Sequence, residues 1–229
     1  MLLLKKRGLL IFWCILLLDC YFIISGNDSS RWVSKGLLIP ILGSYVFLNA
    51  KKNFHQTTKL FVFFSLLCAW LGDLLLLKEG EFYFMAGMGF FMCFHLLIAI
   101  TFFRFQKLKL AKCQNAVIAT GVYVFLCYRL FKFLHDGIVD YKAALIVYAA
   151  CMGLMVIAVF NQLESGIRKL NAVNFFIPAA ILFVISDATL ALQKFKFFNE
   201  NYLSIIVMLA YGYSMSLFSD GFSKILKGA

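Results

Sequence analysis

Apolar runs of roughly 18 to 22 residues recur from one end of this 229-residue chain to the other, each long enough to cross a hydrocarbon core of about 30 Å. Inside a bilayer the backbone must satisfy its own hydrogen bonds, so runs of this length are helices. A transmembrane barrel would instead alternate apolar and polar residues in segments of about ten. Hydrophobic residues make up 63% of the chain, whereas a soluble domain is nearer half apolar. The fold class that follows is an all-α polytopic membrane protein, a bundle of about eight transmembrane helices.

The expected spans are 8–25, 33–50, 59–77, 82–103, 114–132, 140–160, 172–193 and 201–219. The loops between them are too short for a separate soluble domain, so residues 1–229 read as one integral membrane domain. The first span also fits the description of a signal peptide, with Lys5, Lys6 and Arg7 ahead of an apolar run and Ser25 as a weak cleavage context. Asp19 interrupts that run, and we expect the span to be retained.

Orientation follows from the loop cations. One side carries 14 Lys and Arg: Lys5, Lys6, Arg7, Lys51, Lys52, Lys59, Arg104, Lys107, Lys109, Lys112, Arg168, Lys169, Lys224 and Lys227. The other carries 8: Arg31, Lys35, Lys78, Arg129, Lys132, Lys142, Lys194 and Lys196. Both termini are therefore expected to be cytoplasmic. A net charge of +11 would suggest nucleic acid in a soluble protein. Here the charge sits in short loops, where it sets topology and meets anionic lipid headgroups, so no nucleic-acid partner is expected. Minimal loops and the lack of a eukaryotic retention signal favour a bacterial inner membrane.

The seven cysteines are odd in number, include no C-x-x-C, and lie in or beside apolar runs. They read as small core residues rather than a disulfide or metal framework.

Within "SLLCAWLGDLLLLKEGEF" (65–82), Asp73 is a lone carboxylate in an apolar run. Sliding the chain by 114 residues lays "FVFFSLLCAWLGDLLLL" (61–77) over "FFIPAAILFVISDATLA" (175–191), so that Gly72–Asp73 falls on Ser186–Asp187. The faint likeness suggests a four-plus-four pseudo-repeat. Both acids sit on helices expected to start on the same side, at a height of roughly 21–23 Å. Ionisable residues inside spans are few (Asp19, Asp73, His95 and Asp187), and such residues usually face a bundle interior or a wet cavity. Two carboxylates sharing a poorly solvated site do not both ionise readily, so one carboxylic acid beside one carboxylate is expected. Asp19 has no partner visible at its depth and reads as structural. His95 shares a helix face with Phe84, Met88 and Phe91. It reads as a hydrogen-bonding residue, because no second His or Cys stands at ligand spacing. His55 and His135 fall in loops. Pro40 and Pro178 lie inside spans and permit kinks. Walker, dinucleotide, H-E-x-x-H and G-x-S-x-G motifs are missing.

"LGDLLLL", followed by Phe84, Gly87, Phe91 and His95, and "ILFVISDATLAL" (181–192), centred on Ser186 and Asp187, resemble the two acidic motifs of the YhhN-type lysoplasmalogenases. The likeness runs from about residue 33 to 218. Tyr148, Met155 and Ala158 fit the sixth-span pattern, Lys35 fits an early Lys-Pro motif, and Tyr211 fits a Tyr in the last span. Gly36, Ile98 and Met215 depart from the Pro, Tyr and Gln often found at those places. The resemblance implies an eight-span enzyme that hydrolyses the vinyl ether bond of lysoplasmalogens to a fatty aldehyde and glycerophosphoethanolamine or glycerophosphocholine, with no metal or organic cofactor. It implies Asp73 and Asp187 as catalytic residues, and Lys35, His95, Tyr148, Ser186 and Tyr211 as substrate-binding ones. Acid catalysis by an Asp pair fits vinyl ether chemistry, because alkene protonation gives an oxocarbenium ion that a nearby carboxylate stabilises. An intramembrane aspartyl protease and a proton-coupled transporter would use a similar pair and stand as alternatives.

Overall fold

The computed structural model describes residues 2–51, 55–109, 113–135, 137–198 and 200–228. Among them the long elements are all helices: α1 (Leu2–Ser25), α2 (Asp28–Asn49), α3 (Gln56–Leu76), α4 (Glu81–Phe105), α5 (Gln114–Phe133), α6 (Lys142–Phe160), α7 (Lys169–Phe195) and α8 (Asn201–Lys227). All eight are long and apolar enough to cross a membrane. At the chain ends the helices outrun the expected spans: α1 begins at Leu2 and α8 continues to Lys227. Hydropathy stops where Lys5 to Arg7 and Asp220 to Lys227 begin, but a helix can continue into water as long as its backbone hydrogen bonds do. Lys52 and Lys112, two of the loop cations counted above, lie outside the described residues.

Each helix presents two apolar faces. On α1, Phe12, Leu16, Cys20 and Ile23 are buried, whereas Leu10, Leu17 and Ile24 are about 60% exposed and fall on one stripe seven residues apart. A soluble protein would not carry such a stripe on every helix, and here it is the surface offered to lipid. The cysteines divide in the same way. Cys20 and Cys113 are buried, but Cys14 and Cys93 are exposed on outward faces. The expectation that they are core residues therefore holds only in part, because an apolar run does not tell a lipid face from a core face.

Hairpins α1–α2, α3–α4 and α7–α8 make the most extensive contacts. The last helix is the most buried, packing on α1, α2 and α7, whereas α5 is the least buried and leans on α6. The core where α4, α7 and α8 meet is aromatic. Phe94 stacks on Phe183 at 5.2 Å, and Phe102 and Phe222 flank Phe176 at 4.7 and 5.1 Å.

Two glycines set the α3–α4 crossing. A Cβ on Gly72 would lie 2.8 Å from the Phe91 ring, and one on Gly87 would lie 2.9 Å from Leu76. Small residues at such a crossing let two membrane helices approach closely. The Gly before Asp73 is thus required by packing, and it places the acid deep in the bundle. Gly72→Ala should push Phe91 aside and destabilise the fold by about 1–3 kcal/mol. A melting temperature equal to that of the wild type would contradict this packing.

Pro178 follows a π-helical turn, Ala172–Phe176, in α7. There the Ile177 N–H reaches back five residues to the Ala172 carbonyl. The wide turn takes up the backbone disturbance that a proline imposes inside a helix. Phe176, its last residue, is buried against Phe102, Phe218 and Phe222.

Candidate active site

The site is two polar sets rather than one. In the first, the Tyr148 hydroxyl on α6 donates to Asp187 Oδ2 on α7 at 2.5 Å. His95 on α4, completely buried, brings Nε2 to 3.3 Å from the Tyr148 oxygen and 3.7 Å from the same carboxylate oxygen. Its Nδ1 lies 3.4 Å from Met155 Sδ. With the Tyr148 proton committed to Asp187, the phenol oxygen is left to accept from Nε2–H, and Met155 Sδ, which has no proton to give, can only accept from Nδ1–H. Asp187 Oδ1 has no protein hydrogen-bond partner among the described residues.

The second set holds Asp73 on α3. Lys35 Nζ on α2 stands 3.6 Å from Oδ1, and the Tyr211 hydroxyl on α8 donates to Oδ2 at 2.6 Å. All three residues are buried. A charge can be held there only because an opposite charge and a hydrogen bond accompany it. Trp70, one turn before Asp73, donates its indole N–H to the Gly36 carbonyl at 2.8 Å. This ties α3 to α2 beside Lys35.

The sequence led us to expect the two carboxylates face to face with one proton between them. Instead, no hydrogen bond joins them, and each carries its own phenol and its own nitrogen partner. Phe183, one turn before Asp187, touches a member of each set: its ring centroid is 4.8 Å from that of His95 and 5.7 Å from that of Tyr211. Phe91 packs on both Phe183 and Tyr211.

The other residues singled out from sequence are placed as follows. Ser186 donates to the Val207 carbonyl at 3.1 Å and so clasps α7 to α8 rather than joining either set. Phe84, Met88, Phe91 and His95, expected on one face, are all buried. Lys35, which the resemblance implies as substrate-binding, is the counter-ion of Asp73. Asp19 does have a partner that the sequence did not show. It is fully buried and accepts a 2.6 Å hydrogen bond from Ser34.

The two sets differ in access. A cavity of about 650 Å³ is lined chiefly by α4, α5, α6 and α7. Asp187, Tyr148 and Phe91 line it, together with mostly apolar side chains; Asp73 and Tyr211 do not. The Asp187 side chain is 15% exposed and that of Asp73 is 3%. A smaller, more polar recess of about 380 Å³ shares Leu190 and Phe195 with it and carries Tyr141, Gln193 and Lys194. A groove of about 500 Å³ lies across the bundle against α1, α2 and α3, but no titratable side chain lines it.

Eight apolar helices define an integral, multi-pass membrane protein, and the cavity that Asp187 lines is its intramembrane polar site. The chain belongs to the YhhN family, whose profile matches residues 30–222. It is 29% identical over 189 residues to the lysoplasmalogenase TMEM86A of Bos taurus, the match covering 77% of this chain and 73% of that relative. No solved structure matches it.

Proposed function

We propose that this protein hydrolyses the vinyl ether bond of lysoplasmalogens, releasing a fatty aldehyde and a glycerophospho-headgroup. The observation that carries the reading is an acid on the wall of a large apolar cavity, the single one among the described residues: Asp187, oriented by Tyr148 and His95. Family membership and the name of the bovine relative support it. The volume lies in the range of small-molecule sites, and a lipid with one chain can lie in it with its ether against Asp187.

The two aspartates have unequal roles. Tyr148 occupies Asp187 Oδ2, so the acidic proton is carried on Oδ1. That proton goes to the alkene carbon remote from the ether oxygen, and the other carbon becomes an oxocarbenium ion. The carboxylate left behind faces this cation at short range in a medium of low dielectric, where such stabilisation is strongest. Water adds to the cation and returns a proton to Asp187. The resulting hemiacetal then breaks its bond to the glycerol oxygen, giving aldehyde and alcohol. Asp73 does not line that cavity. It is a positioning residue that neutralises Lys35 and fixes Tyr211 against Phe91 and Phe183, and Phe183 in turn packs on His95.

The test is aldehyde release from lysoplasmenylethanolamine by purified protein. Equal portions are incubated with a transmembrane peptide and sealed into liposomes for proton-coupled flux. Aldehyde release without peptide cleavage or transport is expected. Cleavage or transport without aldehyde would transfer the site to one of those activities. The short loops favour a bacterial inner membrane as its setting.

A further inference from the structure

We propose that Arg129, on α5, binds the phosphate of the substrate; this deepens the reading above and rests on it for the identity of the lipid. The cavity that exposes Asp187 has one basic side chain on its wall among the described residues, and it is Arg129. Among the described residues no ion pair, hydrogen bond or ring contact engages that guanidinium. The other cations at this end of the bundle are already engaged or lie elsewhere. Lys35 is paired with Asp73, and Lys78 sits over the Tyr83 ring at 5.0 Å. Lys194 sits over Phe84 at 5.1 Å, and Lys196 sits over Phe133 at 4.3 Å.

Arg129 is exposed, so its charge needs no partner from the protein and stays available to an anion that enters the cavity. Its planar fork matches two phosphate oxygens, and the pairing is stronger where water is thin. The substrate supplies that anion. In a lysoplasmalogen only the three glycerol carbons separate the ether oxygen from the phosphate ester, and the same cavity is lined by Asp187 from α7 and Arg129 from α5. Binding the phosphate there would set the ether against the acid and leave the hydrocarbon tail to run out between α5 and α7. It would also explain why a cation stands on the least packed helix: the residue is fixed by ligand rather than by protein. An arginine that merely reaches for bulk headgroups would sit equally well on this helix, but it would not discriminate between ligands held in the cavity.

The experiment measures binding of an uncleavable 1-O-alkyl lysophosphoethanolamine, the matching alkylglycerol without phosphate, and free glycerophosphoethanolamine to detergent-solubilised wild type, Arg129→Ala and Arg129→Lys. Wild type should prefer the lysophospholipid to the alkylglycerol, and Arg129→Ala should lose about ten- to a hundredfold of that preference. Its affinity for the alkylglycerol should stay within twofold of the wild-type value, and Arg129→Lys should fall between the two. Free glycerophosphoethanolamine should compete weakly, because it lacks the tail. Equal preference in wild type and Arg129→Ala would overturn the assignment, as would a parallel loss for both lipids. Hydrolysis plays no part in this readout. Failure to release aldehyde would therefore refute the proposed reaction without touching the binding result, and an unchanged preference would refute Arg129 without touching the reaction.

Discussion

Asp187→Asn is expected to lower aldehyde release by at least a factor of about 10² to 10⁴, the usual worth of a general acid. The amide still accepts a hydrogen bond from Tyr148 but has no acidic proton to give the alkene. The fold should be spared, because Asp187 forms no ion pair with a lysine or arginine and its side chain is already 15% exposed. Kinetics in mixed micelles beside a thermal melt check both halves. A variant with activity within tenfold of wild type would remove Asp187 from the chemistry. A collapsed melt would show that it holds the bundle together instead.

Asp73→Asn should behave in the opposite sense, failing first in stability. Its carboxylate is the only ion-pair partner of Lys35 among the described residues, and both side chains are under a tenth exposed. Removing one member of such a pair leaves the other charged and buried, a loss of about 3–5 kcal/mol. The paired change Lys35→Met with Asp73→Asn removes the orphaned charge and should recover most of the melting temperature. Activity then separates two roles. If Asp73 acts through position, the double variant regains a measurable part of the aldehyde release lost in the single one. Restored stability with no restored activity would instead give Asp73 a direct part in proton transfer.

Eight helices were legible because membrane helices write themselves in length and hydropathy, and Asp73, His95 and Asp187 were legible because ionisable residues inside such runs are rare. What lay beyond the sequence was azimuth. Two acids at one height were read as facing each other, but height says nothing about which way each helix is turned. In the bundle Asp187 faces a cavity and Asp73 faces Lys35. Phe183 looks like one more of 27 phenylalanines until packing sets it against both polar sets. Arg129, at the end of an apolar run, is indistinguishable in sequence from a topology signal. Asp19 seemed alone because its partner, Ser34, is a hydroxyl, which leaves no mark against an apolar background. The one azimuthal clue was the four-residue spacing of Phe91 from His95 and of Phe183 from Asp187. It puts an aromatic ring on the same face as each polar residue.

The cavity lined by α5 and α7 has a practical consequence. Most detergents used to extract membrane proteins are themselves one alkyl tail bearing a polar cap, the shape of the lipid proposed for this slot. Extraction would therefore preload the enzyme with a competitor present in vast excess. Turnover should depend on the mole fraction of substrate in the micelle rather than on its bulk molarity, and surfactants too bulky for the slot should yield the faster preparations.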